Sequence, residues 1–455
     1  MCYNQTMSFF KAYDMRGTFG ADFDLTTVFR VGKALPQVVD GGRWLVGRDC
    51  RTTSGDVRDA LVRGLAESGA DVTDLGPCTT PMVYFFTAED GYDGSVMVTA
   101  SHNPPTDNGL KVSRRGALPV GYADGLDRVE RLVAADESPA PSGGGGARAH
   151  AAGDPLGRYV AWMRGRAPDR GELRYAVDCS NGMASLLVRE LFPDAAAVIN
   201  DTPDGRFPAH SPNPLKAEAR EQIAALVREK GLDAGVVFDG DADRCMFVDE
   251  NGEFVSPDCL VPVVAASLGV GAGDKVLHDV RTSRGAIEAI RRLGAEPVMS
   301  PVGHAFAKPL LRSTGAVCGG ELAGHYYFRE FHCCDSGALA AQRILGEVAK
   351  AKREGRSFSG MMRPISGVYA NSGELNFRVE DKDAAIGRVL AAAAERLPAE
   401  VSRSAMDGLR LEFAEGWVNV RRSNTEPYLR LVLECDTPAR LEEWKGVLSE
   451  AISAG

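Results

Sequence analysis

Short apolar runs that read as buried strands alternate with stretches of helical spacing along most of this 455-residue chain. Residues 45–49, 71–75, 95–98, 173–179, 234–238, 275–280, 296–299 and 316–318 read as strands. Residues 54–68, 156–164, 183–191, 217–230, 257–268, 285–293 and 336–349 read as helices. Such alternation predicts α/β units, with mixed parallel sheets covered by helices. In sheets of that kind, ligand groups collect beyond the carboxyl ends of the strands. The length calls for about three or four cores at roughly 100–150 residues each. The clearest break is residues 137–155, with four consecutive glycines from Gly143 to Gly146, a composition that cannot hold one backbone state cheaply. The expected division is three α/β domains, residues 1–153, 154–254 and 255–366, and a C-terminal α+β domain, residues 367–455. The last domain has strands at 374–379, 409–413, 417–421 and 428–435, and helices at 382–397 and 438–454.

A net charge of -10 argues against a nucleic-acid binder and leaves anionic small substrates open to local basic clusters. Ten cysteines without a Cys-x-x-Cys pair fit reduced thiols. The chain has neither a signal-peptide pattern near its start nor an apolar run of about 18 residues. The expected setting is therefore the cytoplasm, without membrane partners.

Several strands end in chemically loaded loops. Residues 99–111 read Thr-Ala-Ser-His-Asn-Pro-Pro-Thr-Asp-Asn-Gly-Leu-Lys. Ser101 follows a strand, Pro104 and Pro105 break regular bonding, and His102 and Lys111 are near in sequence. A hydroxyl so held can be a nucleophile or phosphate carrier; the plain alternative is a polar turn. The strand at 234–238 ends in Asp239-Gly240-Asp241-Ala242-Asp243-Arg244. Carboxylates at i, i+2 and i+4 share a side if the backbone is extended, and they repel unless neutralised. An all-oxygen set suits Mg²⁺; the alternative is an acidic loop balanced by Arg244. An EF-hand does not fit, because Arg244 stands where its glycine is needed. Further loops carry His304 with Lys308, and Gly320-Glu321-Leu322-Ala323-Gly324-His325. By themselves these histidines read equally as buried structural groups, and Lys308 as a solvated charge. Arg421, Arg422, Ser423, Asn424 and Thr425 make a donor-rich loop suited to phosphate, or a hairpin turn with solvated arginines. Asp14 and Arg16 read as a structural pair.

In chain order, Tyr13–Gly17, Thr99–Pro104, Asp239–Arg244, Gly320–His325 and Arg421–Pro427 resemble the motifs of the α-D-phosphohexomutase family, in its phosphomannomutase/phosphoglucomutase branch. The resemblance implies four domains around a cleft, each lending one loop. It implies a phosphate carried on Ser101, and Mg²⁺ held by Asp239, Asp241, Asp243 and that phosphoserine. Glu321, with Ala323, Gly324 and His325, would meet the sugar hydroxyls. Arg421, Ser423, Asn424 and Thr425 would clamp the distal phosphate. Arg16, Lys111, Arg244 and His304 would line the reacting centre, with Tyr13 and Arg281 at substrate-contact positions. Lys111 or His304 would move the proton. The implied activity interconverts hexose 1-phosphate and hexose 6-phosphate through hexose 1,6-bisphosphate, which also serves as activator, by a monomer or homodimer. Ala323, where many relatives have serine, is a departure. Leu322 and Ala242 argue against the glucosamine-phosphate branch, so mannose is favoured, with glucose second. A metal-dependent sugar-phosphate phosphatase and a catalytically silent sensor are the competing readings.

Overall fold

Parallel pairing at the centre of a sheet requires strands buried on both faces, and the apolar runs supply them. The computed structural model describes residues 9–135, 148–422 and 428–454. In the first sheet β1 (Met15–Thr18), β2 (Arg43–Arg48), β3 (Asp71–Pro77), β4 (Gly94–Val98), β5 (Asp107–Arg114), β6 (Leu118–Pro119) and β7 (Arg148–Ala151) lie in the order β1-β5-β4-β2-β3-β7, with β6 beside β5. Strands β7, β3, β2 and β4 run parallel; β5 and β1 are antiparallel.

The second sheet contains β8 (Tyr175–Asp178), β9 (Ala197–Ile199), β10 (Ala234–Phe238), β11 (Cys245–Asp249) and β12 (Phe254–Val255), ordered β12-β11-β10-β8-β9. The third contains β13 (Lys275–Asp279), β14 (Glu296–Ser300), β15 (Cys318–Gly320), β16 (Tyr326–Phe328) and β17 (Cys334–Asp335), ordered β14-β13-β15-β16-β17. Both repeat one plan: three parallel strands, then two antiparallel ones. The first sheet follows it too, with β7 added at its edge. In all three the chain reverses at the same junction, after the last parallel strand: β4 to β5, β10 to β11, β15 to β16.

The fourth sheet is antiparallel throughout. It holds β18 (Ala370–Asn371), β19 (Leu375–Arg378), β20 (Glu400–Ser404), β21 (Leu409–Phe413), β22 (Gly416–Arg422) and β23 (Tyr428–Cys435), in the order β18-β23-β22-β21-β20 with β19 beside β23. Its own core of Val389, Leu431, Trp444 and their neighbours is separate. The first three units share one apolar core. Phe85 of the first packs at 5.4 Å on Tyr159 and 6.1 Å on Phe331, and Trp162 at 5.4 Å on Phe331. Aromatic rings at such separations add to area burial.

Several local expectations change. Residues 148–151 of the expected break form β7, which extends the first sheet; Glu137 and the four glycines lie outside the described residues. Residues 107–111, expected in a loop, belong to β5, because Gly109 lets that strand pass within contact of the Met15 carbonyl. The stretch 183–191 is a 3₁₀ turn, Met183–Leu186, followed by the short helix Val188–Leu191. The helix expected from residue 217 starts at Glu221, after a 3₁₀ turn. Helices Leu25–Val38, Thr80–Glu89, His304–Thr314 and Phe358–Ser366 were not expected. The nine described cysteines are free. Among the described residues no helix is long and apolar enough to cross a membrane.

Candidate active site

The three equivalent junctions converge. The β4–β5 loop presents Ser101, whose backbone lies in the left-handed region at φ 51°. Its Oγ donates to Asp239 Oδ2 at 2.9 Å in the β10–β11 loop and lies 3.2 Å from His102 Nδ1. The acidic run is curled, not extended: Ala242 has φ 61°. Curling still gathers Asp239, Asp241 and Asp243, whose ligand atoms lie within 4.8 Å of one another and are wholly buried. Lys111, on β5, donates to Asp241 Oδ2 at 2.7 Å and Asp243 Oδ2 at 2.6 Å. Arg244 Nε donates to Asp239 Oδ2 at 2.9 Å. Thr80, unread in the sequence, donates its hydroxyl to Asp241 Oδ2 at 2.6 Å. It opens a helix after Pro77 and Cys78, so the capping sequence Thr79-Thr80-Pro81 was the available signal.

Charge follows from this packing. Burial, with Asp243 and Asp241 adding to it against Arg244, pushes the Asp239 carboxyl up to about 7. Burial also works against charge on Asp241 and Asp243, but Lys111 beside both brings them below the usual carboxylate range. Burial disfavours the Lys111 ammonium, yet the two aspartates hold its pKa above the ordinary value. Three carboxylates thus face two fixed cations. Asp241 Oδ1 and Asp243 Oδ1 are buried without a hydrogen bond among the described residues. Acceptor-only oxygens with a residual negative charge fit a hard divalent cation.

The β15–β16 loop docks beside this run, with Cys245 N donating to Gly324 O at 3.3 Å. Arg244 Nη1 reaches Ala323 O at 3.5 Å. Glu321 is buried; its Oε1 accepts from Gly303 N at 2.5 Å and its Oε2 lies 3.0 Å from His325 Nδ1. The other nitrogen of His325 is 3.6 Å from Asp243 Oδ1. His304 opens the helix His304–Thr314, with its ring 6.2 Å from that of His325 and 6.4 Å from that of Tyr13. Burial and the nearby Lys308 hold His304 well below the ordinary histidine range. Tyr13 Oη donates to Val302 O at 3.3 Å. Arg16 pairs with Asp14 at 2.6 Å, as the sequence suggests, and also reaches Asn103 Oδ1 at 3.1 Å.

Lys308 is not a solvated charge. It is buried 2.7 Å from Asp335 Oδ1 and 3.4 Å above the Tyr84 ring. Asp335, Asp243 and His325 also converge, but Lys308 already supplies a cation there. Arg281 pairs with Asp279 at 2.6 Å, and Asp279 Oδ2 accepts from Leu322 N at 3.0 Å. Arg281 and Arg421 share the Glu374 carboxylate at 3.2 and 2.8 Å, with Arg430 at 3.0 Å. Asp279, Glu374 and Asp335 escaped the sequence reading because each acts through partners distant in sequence or folded beside it, and none repeats at a ligand-like spacing. Ser423, Asn424 and Thr425 lie outside the described residues.

A serine hydroxyl bonded to a buried run of three carboxylates, with two cations paired to the same run, is an arrangement that suits phosphoryl chemistry. Models of the phosphoglucomutase/phosphomannomutase family match in order: alpha/beta/alpha domain I at residues 7–139, domain II at 159–252, domain III at 256–365 and the C-terminal domain at 374–451. The chain belongs to this family and is a mutase, an isomerase. It is 39% identical over 446 residues to the phosphohexose mutases of Xanthomonas campestris, covering 96% of this chain and 97% of the relative. It is 36% identical over 439 residues to a phosphomannomutase of Escherichia coli, covering 93% and 94%. A phosphoglucomutase/phosphomannomutase family structure from Burkholderia thailandensis superposes with TM-score 0.85 at 28% identity, covering 98% of this chain and 97% of that one.

Proposed function

We propose that this chain interconverts hexose 1-phosphate and hexose 6-phosphate, with mannose preferred and glucose accepted, through phosphorylated Ser101 and a hexose 1,6-bisphosphate. The observation that carries the reading is Ser101 Oγ, 2.9 Å from Asp239 in the buried run. Phosphoryl transfer asks mainly for positioning and neutralised charge. In the first step the bond from phosphorus to Ser101 Oγ breaks as a sugar hydroxyl oxygen bonds to phosphorus. The hydroxyl proton passes to a protein base, and Oγ leaves with the bonding pair. In the second step the bisphosphate, reoriented, returns its other phosphoryl group to Oγ: that phosphorus–sugar oxygen bond breaks as Oγ bonds to phosphorus, and the leaving sugar oxygen takes the proton back from the base. Asp239, Asp241 and Asp243 are the residues that would hold Mg²⁺, which when bound would neutralise phosphoryl charge.

Lys111, tied to two aspartates, acts in this reading as a fixed positive charge rather than as the base. His325 fits the base role better than Lys111 or His304, because Glu321 orients one ring nitrogen and leaves the other facing the reacting side. Arg16 and Arg244 add positive field. Arg281 and Arg421 would hold the distal phosphate, and Glu321 the sugar hydroxyls. The mannose preference draws on the names of the relatives. Two orientations of one sugar must fit, which suits a clamp kept apart from the reacting centre.

A coupled assay comparing mannose 1-phosphate and glucose 1-phosphate, with Mg²⁺ and trace bisphosphate, tests the reading. Turnover is expected on both, faster on mannose, and Ser101→Ala is expected to lower kcat by at least about 10⁴-fold, the scale of losing a nucleophile. Intact mass is expected to rise by one phosphate in the wild type and not in the variant. Inorganic phosphate released faster than isomer forms would establish a phosphatase instead.

A further inference from the structure

One fully buried guanidinium is bonded to the backbone of the Ser101 loop. Arg51 Nη2 donates to Ser101 O at 2.9 Å and Asn103 O at 2.7 Å, and its Nη1 donates to Pro104 O at 2.6 Å and Asp107 O at 2.9 Å. Four carbonyls within the seven residues from Ser101 to Asp107 converge on a single side chain. Its Nε lies 3.2 Å from Asp49 Oδ2. Asp49 grips the same loop independently, accepting from Thr99 Oγ1 at 2.7 Å, and Thr99 Oγ1 in turn accepts from Ser101 N at 2.8 Å.

The second unit closes over this grip. The Phe207 ring lies 5.1 Å from the Arg51 guanidinium, and a Cβ on Gly205 would stand 2.3 Å from Arg51 Cα. Gly240 also approaches the Ser101 carbonyl: a Cβ there would come within 2.5 Å of that oxygen. The Ser101 carbonyl therefore meets both a planar donor fork and a glycine of the metal-ready run. Ser101 needs such support because its left-handed backbone, unusual for a residue with a Cβ, costs of order 1 kcal/mol.

We infer that Arg51 is the positioning residue of the phosphoryl-carrying loop: its fork sets the Ser101 backbone, and thereby the direction of Oγ, through both transfers. The inference rests on the proposed route through Ser101. Arg51 touches no reacting atom. It acts through carbonyls, which only a rigid, multi-donor side chain can gather at one point. Lysine keeps the charge but presents a single ammonium to a four-acceptor cradle.

The test is Arg51→Lys, measured in two ways on the full chain. Amide hydrogen exchange reads the loop directly. The amides of Thr99, Ser101, Asn103 and Asp107, which bond within the loop and β5, are expected to exchange about tenfold faster, as local opening becomes easier. Helix Ser54–Glu67 should be unchanged. Steady-state kinetics read the consequence: kcat is expected to fall about 100-fold, the effect of a misplacement of about 1 Å. KM should stay within about threefold, since sugar binding is not touched. Unchanged loop exchange overturns the inference whatever the chain catalyses. Faster exchange with unaltered kcat overturns it as well, leaving Arg51 a stabilising residue only. If Arg51→Lys does not fold, Phe207→Leu carries both measurements, with smaller changes of the same sign expected and unchanged loop exchange again decisive. A wild type that takes no phosphate on Ser101 from hexose 1,6-bisphosphate would defeat the mutase route, while the exchange result would still decide the loop's support.

Discussion

His278 sits within β13, with 3% of its surface exposed and Nδ1 3.1 Å from the Asp279 carbonyl. Burial pushes its pKa down from the ordinary 6.5 to about 4. Between those values the unfolded chain binds a proton that the folded chain refuses. The contribution is therefore complete above about pH 6.5 and is lost as pH falls toward 4, with a total of about 3 kcal/mol. In His278→Asn the amide keeps a donor for the carbonyl but does not titrate in this window. Its melting temperature should fall less steeply than that of the wild type between pH 7 and 4.5. Parallel curves for the two proteins would show that His278 carries no such linkage. The residue scale also explains what the sequence concealed. The three aspartates were legible because like charges crowded in one run need an explanation. Arg51 was not, because the four loop groups it gathers are carbonyls, which every residue has. Lys308 looked like a surface charge, but its helix buries Ala307 and Leu311 on the same face, and spacing of that kind was available to be read.

At the scale of elements, the junction after the last parallel strand is where the chemistry collects, once in each of the first three sheets. Each such loop is contiguous in sequence, so its residues could be recognised without the fold. The supporting elements were harder to see. Helix Thr80–Glu89 is buried on every side from Thr80 to Thr87, so it lacks the polar face that would give it a period. Strand β5 was masked by Pro104, Pro105 and Asn108-Gly109, which read as turns. Asn108 instead turns inward, donating to Thr53 Oγ1 at 2.8 Å and Ser54 Oγ at 3.0 Å. The junctions also set a steric limit. Gly240 has no left-handed backbone, so alanine fits its conformation but not its space. Gly240→Ala should cost about 1–3 kcal/mol by overpacking, because the new methyl would meet the Ser101 carbonyl at 2.5 Å. Activity should fall far more than stability, by about 100-fold for a loop moved by about 1 Å. Thermal melting and kcat measured on the same preparation check this, and a variant as active as the wild type would mean the two loops do not meet in solution.

At the scale of the molecule, the fourth unit has its own core and joins the third largely through polar contacts. Val302 N donates to Asp407 Oδ2 at 2.9 Å, and Arg410 donates to the Val280 carbonyl. Arg284 pairs with Glu434 at 3.5 Å. Glu374 adds a further contact, since its carboxylate lies among Arg281 of the third unit and Arg421 and Arg430 of the fourth. Burial works against its charge, but the three guanidiniums hold its pKa below the ordinary glutamate range. Removing one partner of a buried ion pair costs about 3–5 kcal/mol. Glu374 keeps 21% of its side chain exposed, so solvent screening should reduce that to about 1–2 kcal/mol. In Glu374→Gln three positive groups would face one another across the interface, and the fourth unit should sit further from the third. The proposed phosphate clamp then begins from a more open position. KM for the sugar phosphate should rise about tenfold, which is about 1.4 kcal/mol, with kcat at saturation nearly unchanged. Small-angle scattering should give a larger radius of gyration for the variant, and inorganic phosphate, by supplying the missing anion, should restore the smaller one. A lower KM would reverse the argument, because Glu374 would then be a competitor for the substrate phosphate rather than the tie that brings its arginines together.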